Sequence, residues 1–148
     1  MRLLTDKISL LCIDWNKRPL VEADFYRLCR RFGLTVHDSP MGVEGFYYRL
    51  LGRDFIAIDS KLSGLQKLAV LFHELGHFLL HIPRSGPAVN FHAVGHPTRQ
   101  EREADFFALC ALMPRPLIEN RSQTELLHEG FSREMIETRL AIFERHNI

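Results

Sequence analysis

The chain has 148 residues, 46% hydrophobic and 25% charged, with a formal net charge of +1; that is enough for one domain, residues 1–148, with a core of its own. The near-neutral balance gives no electrostatic footprint for nucleic acid, no apolar run reaches membrane-spanning length, and the apolar run at the N-terminus is broken by Asp6 and Lys7 with no small-residue cleavage site after it. Cys12, Cys29 and Cys110 are odd in number and contain no CxxC pair, so buried thiols in a reducing, cytoplasmic setting are expected.

In chain order, Ile8 to Trp15 reads as a short strand that Asn16-Lys17-Arg18-Pro19 closes. From Leu20, the residues Phe25, Leu28, Cys29 and Phe32 recur at i, i+3, i+4 and i+7, with Pro19 at the entrance and Gly33 past the end. That spacing predicts an amphipathic helix. Leu34-Thr35-Val36 is a strand candidate, and Asp38-Ser39-Pro40-Met41-Gly42 is turn chemistry. Phe46 to Leu51 and Asp54 to Asp59 are rich in aromatic or branched residues and flank Gly52-Arg53, which predicts a hairpin with a two-residue turn. The edge of that hairpin is a place where an extended substrate could add as a further strand.

The stretch Ser63 to Ile82 reads SGLQKLAVLFHELGHFLLHI. Ser63 and Gln66 have the spacing of a capping box, and Pro83 cannot continue a helix, so one long helix is predicted. Residues four apart on a helix lie one turn above each other, so His73 and His77 can converge on one cation while Glu74 projects beside them. The apolar flanks Leu68 to Phe72 and Phe78 to Leu80 predict burial, where two imidazoles and a carboxylate need a polar reason to sit. That disfavours a chance HExxH in an ordinary helix. Gly76 costs about 1 kcal/mol relative to Ala in a helix and implies close approach by another backbone. His81 lies a turn further on, but a helix drifts by about 40° over four residues, so it reads as structural.

Two histidines leave tetrahedral zinc short of ligands; a catalytic site adds a third protein ligand and an activated water, from which Glu74 would take the proton. Pro83 to Pro97, which holds His92 and His96, reads as a loop or lid. Thr98 and Glu101 form a second capping-box pattern opening a helix from about Arg99 to Leu112, ended by Pro114 and Pro116. On it Glu101 and Asp105 are i, i+4 neighbours, with Glu103 on roughly the opposite side. Glu101 is the favoured third ligand, Asp105 the partner for a histidine's remaining N–H, and Glu103 the alternative ligand, otherwise a solvated surface charge. Tyr47, Tyr48, His92 and His96 are candidates for stabilising an oxyanion. Ser122 with Glu125 opens a short helix ending near Gly130, and Ser132 opens a last one carrying Met135, Ile136, Leu140 and Phe143.

HELGH followed by LLH, then EREADFFALCALMP, resembles the ImmA/IrrE family of metallo-endopeptidases, and Gly45 to Tyr48 and FSREMIETRLAIF fit it too. The resemblance spans roughly residues 20 to 145. It implies a compact α+β zincin-like domain in which a small antiparallel sheet or hairpin packs on the HExxH helix, with further C-terminal helices. It also implies one zinc held by His73, His77 and Glu101, and proteolysis of a regulatory protein, commonly a helix-turn-helix repressor. Leu80 and Pro83 stand where a metzincin needs Gly and His, so a thermolysin-like glutamate arrangement is expected. Two other classes compete. One is a zincin-like regulatory or binding module without activity, against which Glu74 argues, since a structural zinc needs no general base. The other is a DNA-binding regulator on residues 122–145, where Glu125, Glu129, Glu134, Glu137 and Glu144 offset Arg121, Arg133, Arg139 and Arg145. Neither nucleic acid nor membrane is an expected partner, and no pattern specifies an oligomeric state.

Overall fold

A computed structural model describes residues 2–81, 88–90 and 98–148, with 88–90 described by backbone alone. Helix α1 (Arg2–Leu11) forms where a strand was expected. Leu4, Ile8 and Leu11 lie on one face of the helix and, with Cys12 and Trp15 just beyond its end, pack into or against the core, whereas Leu3 and Leu10 on the helix and Ile13 after it are exposed. The period is therefore helical; the contiguous apolar letters concealed it. Helix α2 (Glu22–Phe32) buries Phe25, Leu28 and Cys29 and ends at Gly33, whose φ of 71° is the left-handed turn glycine supplies readily.

Among the described residues the sheet has four strands, β1 (Leu34–Ser39), β2 (Gly45–Leu50), β3 (Arg53–Asp59) and β4 (Ala88–Asn90), in the order β1-β3-β2-β4. The hairpin β2–β3 is antiparallel, with Tyr47 opposite Ile56, and the residues turning it are Leu51 and Gly52, both at positive φ. Two consecutive positive φ values match the right-handed twist of the strands they join. The expected α+β frame with its hairpin is present, and β1 adds a parallel pairing to β3. Strand β4 lies inside the segment expected to be a loop and pairs with Tyr47 to Arg49. The β2 edge of the hairpin is thus occupied there, and the strand-addition edge expected from sequence is not free over those residues.

Helix α3 (Gly64–His81) runs across the sheet with everything from Val70 to Leu79 buried. Its first turn differs from the predicted box, because Gln66 donates its amide to Glu44 Oε1 at 3.0 Å. Gly45 sets the depth at which β2 meets this helix: a Cβ there would stand 2.8 Å from Val70 Cγ1 and 3.0 Å from Ala57 O. Helix α4 (Arg99–Leu112) crosses α3 at Gly76, where a Cβ would stand 3.1 Å from Ala104 Cα and 3.3 Å from Ala104 O. The close backbone approach that Gly76 implied is this crossing.

Two short helices, α5 (Arg115–Asn120) and α6 (Gln123–His128), and a longer one, α7 (Arg133–His146), follow. The α6 capping box forms as predicted, with Ser122 N donating to Glu125 Oε2 at 2.7 Å. Arg139 on α7 is fully buried and donates to Met113 O, Ile148 O and Asn16 Oδ1, so it offers nothing to a phosphate backbone. Trp15 stacks on Phe107 and donates its indole N–H to Phe107 O at 2.9 Å, and Leu20 N donates to Ala111 O at 2.8 Å. These bonds fasten the N-terminal segment to α4. The three cysteines are free and buried, and burial pushes the thiols of Cys29 and Cys110 up to about 12. Among the described residues, no helix is long and apolar enough to cross a membrane.

Candidate metal centre

Where α3 and α4 cross, three side chains meet. His73 and His77, one turn apart, bring their Nε2 atoms to 3.0 Å. Glu101, in the first turn of α4, places one carboxylate oxygen 3.2 Å from His73 Nε2 and the other 3.3 Å from His77 Nε2. The backbone N–H of Glu101 meanwhile donates to Thr98 Oγ1 at 3.2 Å. The residue therefore does both things its position in the sequence allowed: its main chain is capped, and its carboxylate faces the histidines.

Each histidine is held at its other ring nitrogen. Asp105 Oδ1 stands 2.7 Å from His73 Nδ1, so the Nδ1–H donates to the carboxylate and Nε2 faces inward. His77 Nδ1 is 3.2 Å from His81 Nδ1, and His81 Nε2 is 3.0 Å from Glu103 Oε2. Glu103 is thus neither at the cluster nor merely solvated; its other oxygen accepts from Arg99 Nε at 2.8 Å. Burial disfavours the His73 cation, but Asp105 and Glu101 outweigh that and raise its pKa to about 9. Burial and the neighbouring His73 charge push His77 down to about 4.

Glu74 is 1% exposed. Its Oε2 accepts the backbone N–H of Tyr47 at 2.8 Å, which ties the carboxylate to strand β2. The hydroxyl of Tyr47 is turned elsewhere, donating to Asp54 Oδ1 at 2.7 Å. Tyr48 alternates to the opposite face of the strand and stacks on Phe55 with ring centroids 4.9 Å apart. Neither phenol is brought to the cluster. His92 and His96 lie outside the described residues. Sequence reasoning did not anticipate the use of His81, or of the Tyr47 main chain. The LLH after HELGH was the available signal for His81, since i+4 spacing keeps ring-to-ring contact despite the helical drift.

The donor set fits a metal. Three ligand atoms, from His73, His77 and Glu101, lie within 4.8 Å of one another, and two nitrogens on tetrahedral zinc would stand about 3.3 Å apart, close to the separation seen. A groove of about 190 Å³ reaches His73, with Val70, Ala108, Leu109 and Met135 among its walls. A larger cavity of about 370 Å³ between α4 and α7 touches Asp105 and neither ligand histidine, so size alone would point away from the chemistry.

A buried His-Glu-x-x-His helix, completed by a glutamate from the helix that crosses it, defines a metallopeptidase-type centre on an α+β frame. The family model described as the IrrE N-terminal-like domain, Peptidase_M78, matches residues 29–140, and the chain belongs to that family. No curated protein and no solved structure matches it.

Proposed function

We propose that the protein is a zinc-dependent endopeptidase, one zinc per chain, that cuts a cytoplasmic regulatory protein, a helix-turn-helix repressor. The observation that carries the enzymatic part is Glu74: a buried carboxylate directly follows a ligand histidine, a position that a purely structural metal site has no use for. The substrate class follows the resemblance to ImmA/IrrE endopeptidases.

His73, His77 and Glu101 would hold the ion. When bound, zinc supplies Lewis-acid polarisation and acidifies water at neutral pH. Glu74 takes the proton of the attacking water as the C–O bond forms, and returns it to the amide nitrogen as the C–N bond breaks. Asp105 keeps His73 in the tautomer whose Nε2 lone pair faces the ion. The Tyr47 N–H holds Oε2 of Glu74 and so fixes the carboxylate against strand β2.

Glu74→Gln tests this. It keeps the ligands and loses the base, so zinc content by elemental analysis should stay at one per chain while hydrolysis falls by roughly two to four orders of magnitude. The same variant, used as bait in lysate of the source cell, should retain the substrate without cutting it. Full activity in Glu74→Gln would end the base assignment. Recovery of nothing by the bait, with wild type cutting short unstructured peptides freely, would replace the repressor by general peptidase activity.

A further inference from the structure

Among the described residues, His77 is the ligand candidate whose outer nitrogen does not meet a carboxylate directly. Its Nδ1 meets another imidazole, His81 Nδ1 at 3.2 Å, and that ring's Nε2 meets Glu103 Oε2 at 3.0 Å. The His81 side chain is 5% exposed and that of Glu103 20%, so water competes weakly for these contacts. Arg99 Nε holds the far oxygen of Glu103 at 2.8 Å. All four groups sit on α3 and α4, the helices whose crossing builds the cluster.

A neutral imidazole has one N–H and one bare nitrogen. A carboxylate only accepts, so His81 Nε2 carries the proton and its Nδ1 is bare. A bare Nδ1 can only accept, so the proton of His77 is on its own Nδ1 and the His77 Nε2 lone pair is left toward Glu101 and His73. The opposite order would set the bare Nε2 of His81 against the carboxylate and put a proton on the atom of His77 that must bind metal.

We propose that Glu103 and His81 are positioning residues which, acting in series, fix the tautomer of His77 and so expose its Nε2 as a metal ligand. Asp105 does for His73 in one hydrogen bond what Glu103 does for His77 through an intervening ring. This rests on the reading of His77 as a ligand. It also gives Glu103 a role through its acceptor oxygen, distinct from its charge.

The test measures zinc affinity by competition with a chromogenic chelator, together with the tautomers of the histidine rings by long-range ¹⁵N NMR of the zinc-loaded protein. His81 in the wild type should show a protonated Nε2 and a bare Nδ1. His81→Phe keeps a ring and removes the acceptor, and should weaken zinc binding by roughly 10 to 100-fold. His81→Asn places an amide oxygen near the Nδ1 position and should recover most of that loss. Glu103→Met should weaken binding about tenfold and abolish the fixed His81 tautomer, whereas Glu103→Gln, which still accepts, should do neither. Circular dichroism establishes that each variant is folded; Glu103→Met, at the more exposed position, carries the test if His81→Phe does not fold. Unchanged affinity and an unchanged His81 tautomer in Glu103→Met, or a protonated Nδ1 on His81 in the wild type, overturns the proposal while leaving the ligand set intact. If His77→Ala binds zinc as tightly as wild type, the ligand reading itself fails, which is a separate outcome.

Discussion

Glu101 sits in the first turn of α4 with its N–H on Thr98 and its carboxylate against two imidazoles. These two jobs separate under mutation. Glu101→Gln keeps the backbone donor and removes the negative charge, so it should lose most zinc affinity with little change in the thermal midpoint of the metal-free protein. Asp105→Asn should cost on the order of 10 to 100-fold in affinity, because an amide can still meet the His73 Nδ1–H through its oxygen but no longer offers a charge. Chelator competition alongside a thermal melt checks both. A Glu101→Gln variant that keeps its zinc and melts earlier would make the residue a helix cap alone. At this scale the sequence was informative because ligand chemistry is discrete: few residue types bind zinc, and helical spacing says which ones can meet. The aromatic candidates show the limit of such reasoning. A tyrosine on a strand faces one side or the other, and which partner its hydroxyl finds depends on Asp54, seven residues away across the hairpin.

Between elements, the centre depends on how closely α4 lies on α3. Gly76→Ala would set a methyl 3.1 Å from Ala104 Cα, with Phe107 Cδ1 at 3.2 Å, and backbone cannot give way as a flexible side chain does. The helices should separate by a few tenths of an ångström or tilt. Since Ala104 and Glu101 lie on the same side of α4, three residues apart, the carboxylate would be drawn off the histidines. Gly76→Ala is therefore expected to lower zinc affinity even though alanine favours the helix by about 1 kcal/mol; a variant that binds zinc as wild type does would show that the crossing is slack. Elements with a strong period or a cap were legible, namely α2, α3, α4, α6, α7 and the hairpin. Helix α1 was hidden by a run of apolar letters whose burial alternates with helical period. Helix α5 was hidden because Pro114 and Pro116 read as terminators, although a proline in a first turn gives up only an N–H that has no helical partner. Strand β4 has three residues, too few for a period, and exists through its pairing with Tyr47 to Arg49.

Across the whole molecule, the N-terminal segment braces the helices that carry the site. The family match begins at residue 29, yet Trp15 and Leu20 bond directly to α4. The turn that leads from them into α2 is locked by Asp24, which accepts from Arg18 Nη1 and Nη2 at 2.8 and 2.9 Å and from Val21 N at 2.9 Å. The Arg18 guanidinium outweighs burial and, with the Val21 N–H, lowers the Asp24 pKa to about 2. A depressed carboxylate stabilises the fold fully above its unfolded pKa of about 3.9 and loses that contribution as pH falls through the folded value. Arg18 is 43% exposed, so solvent screens part of the interaction. Asp24→Asn should cost about 1 kcal/mol at neutral pH, and the gap from wild type should close between pH 4 and about 2. Urea titrations at pH 6 and pH 2.5 check this; a gap that stays constant with pH would place the effect in packing.

The three buried thiols give the molecule an internal record of its own opening. With Cys29 and Cys110 raised to about 12, the reactive thiolate is scarce at neutral pH even before access is considered. Alkylation by iodoacetamide must therefore wait for the chain to expose each sulfur, and peptide mass spectrometry can time the three separately. Cys12 follows α1, Cys29 lies on α2 and Cys110 lies on α4 with the third candidate ligand. Cys12, at 5% exposure beyond a short helix, should react first, and Cys110, at 0%, last. Saturating zinc should slow Cys110 the most, because an ion that binds only while α3 and α4 are closed on each other stabilises that state as its free concentration rises above the Kd. If zinc leaves the Cys110 rate unchanged, the ion does not clamp those two helices together.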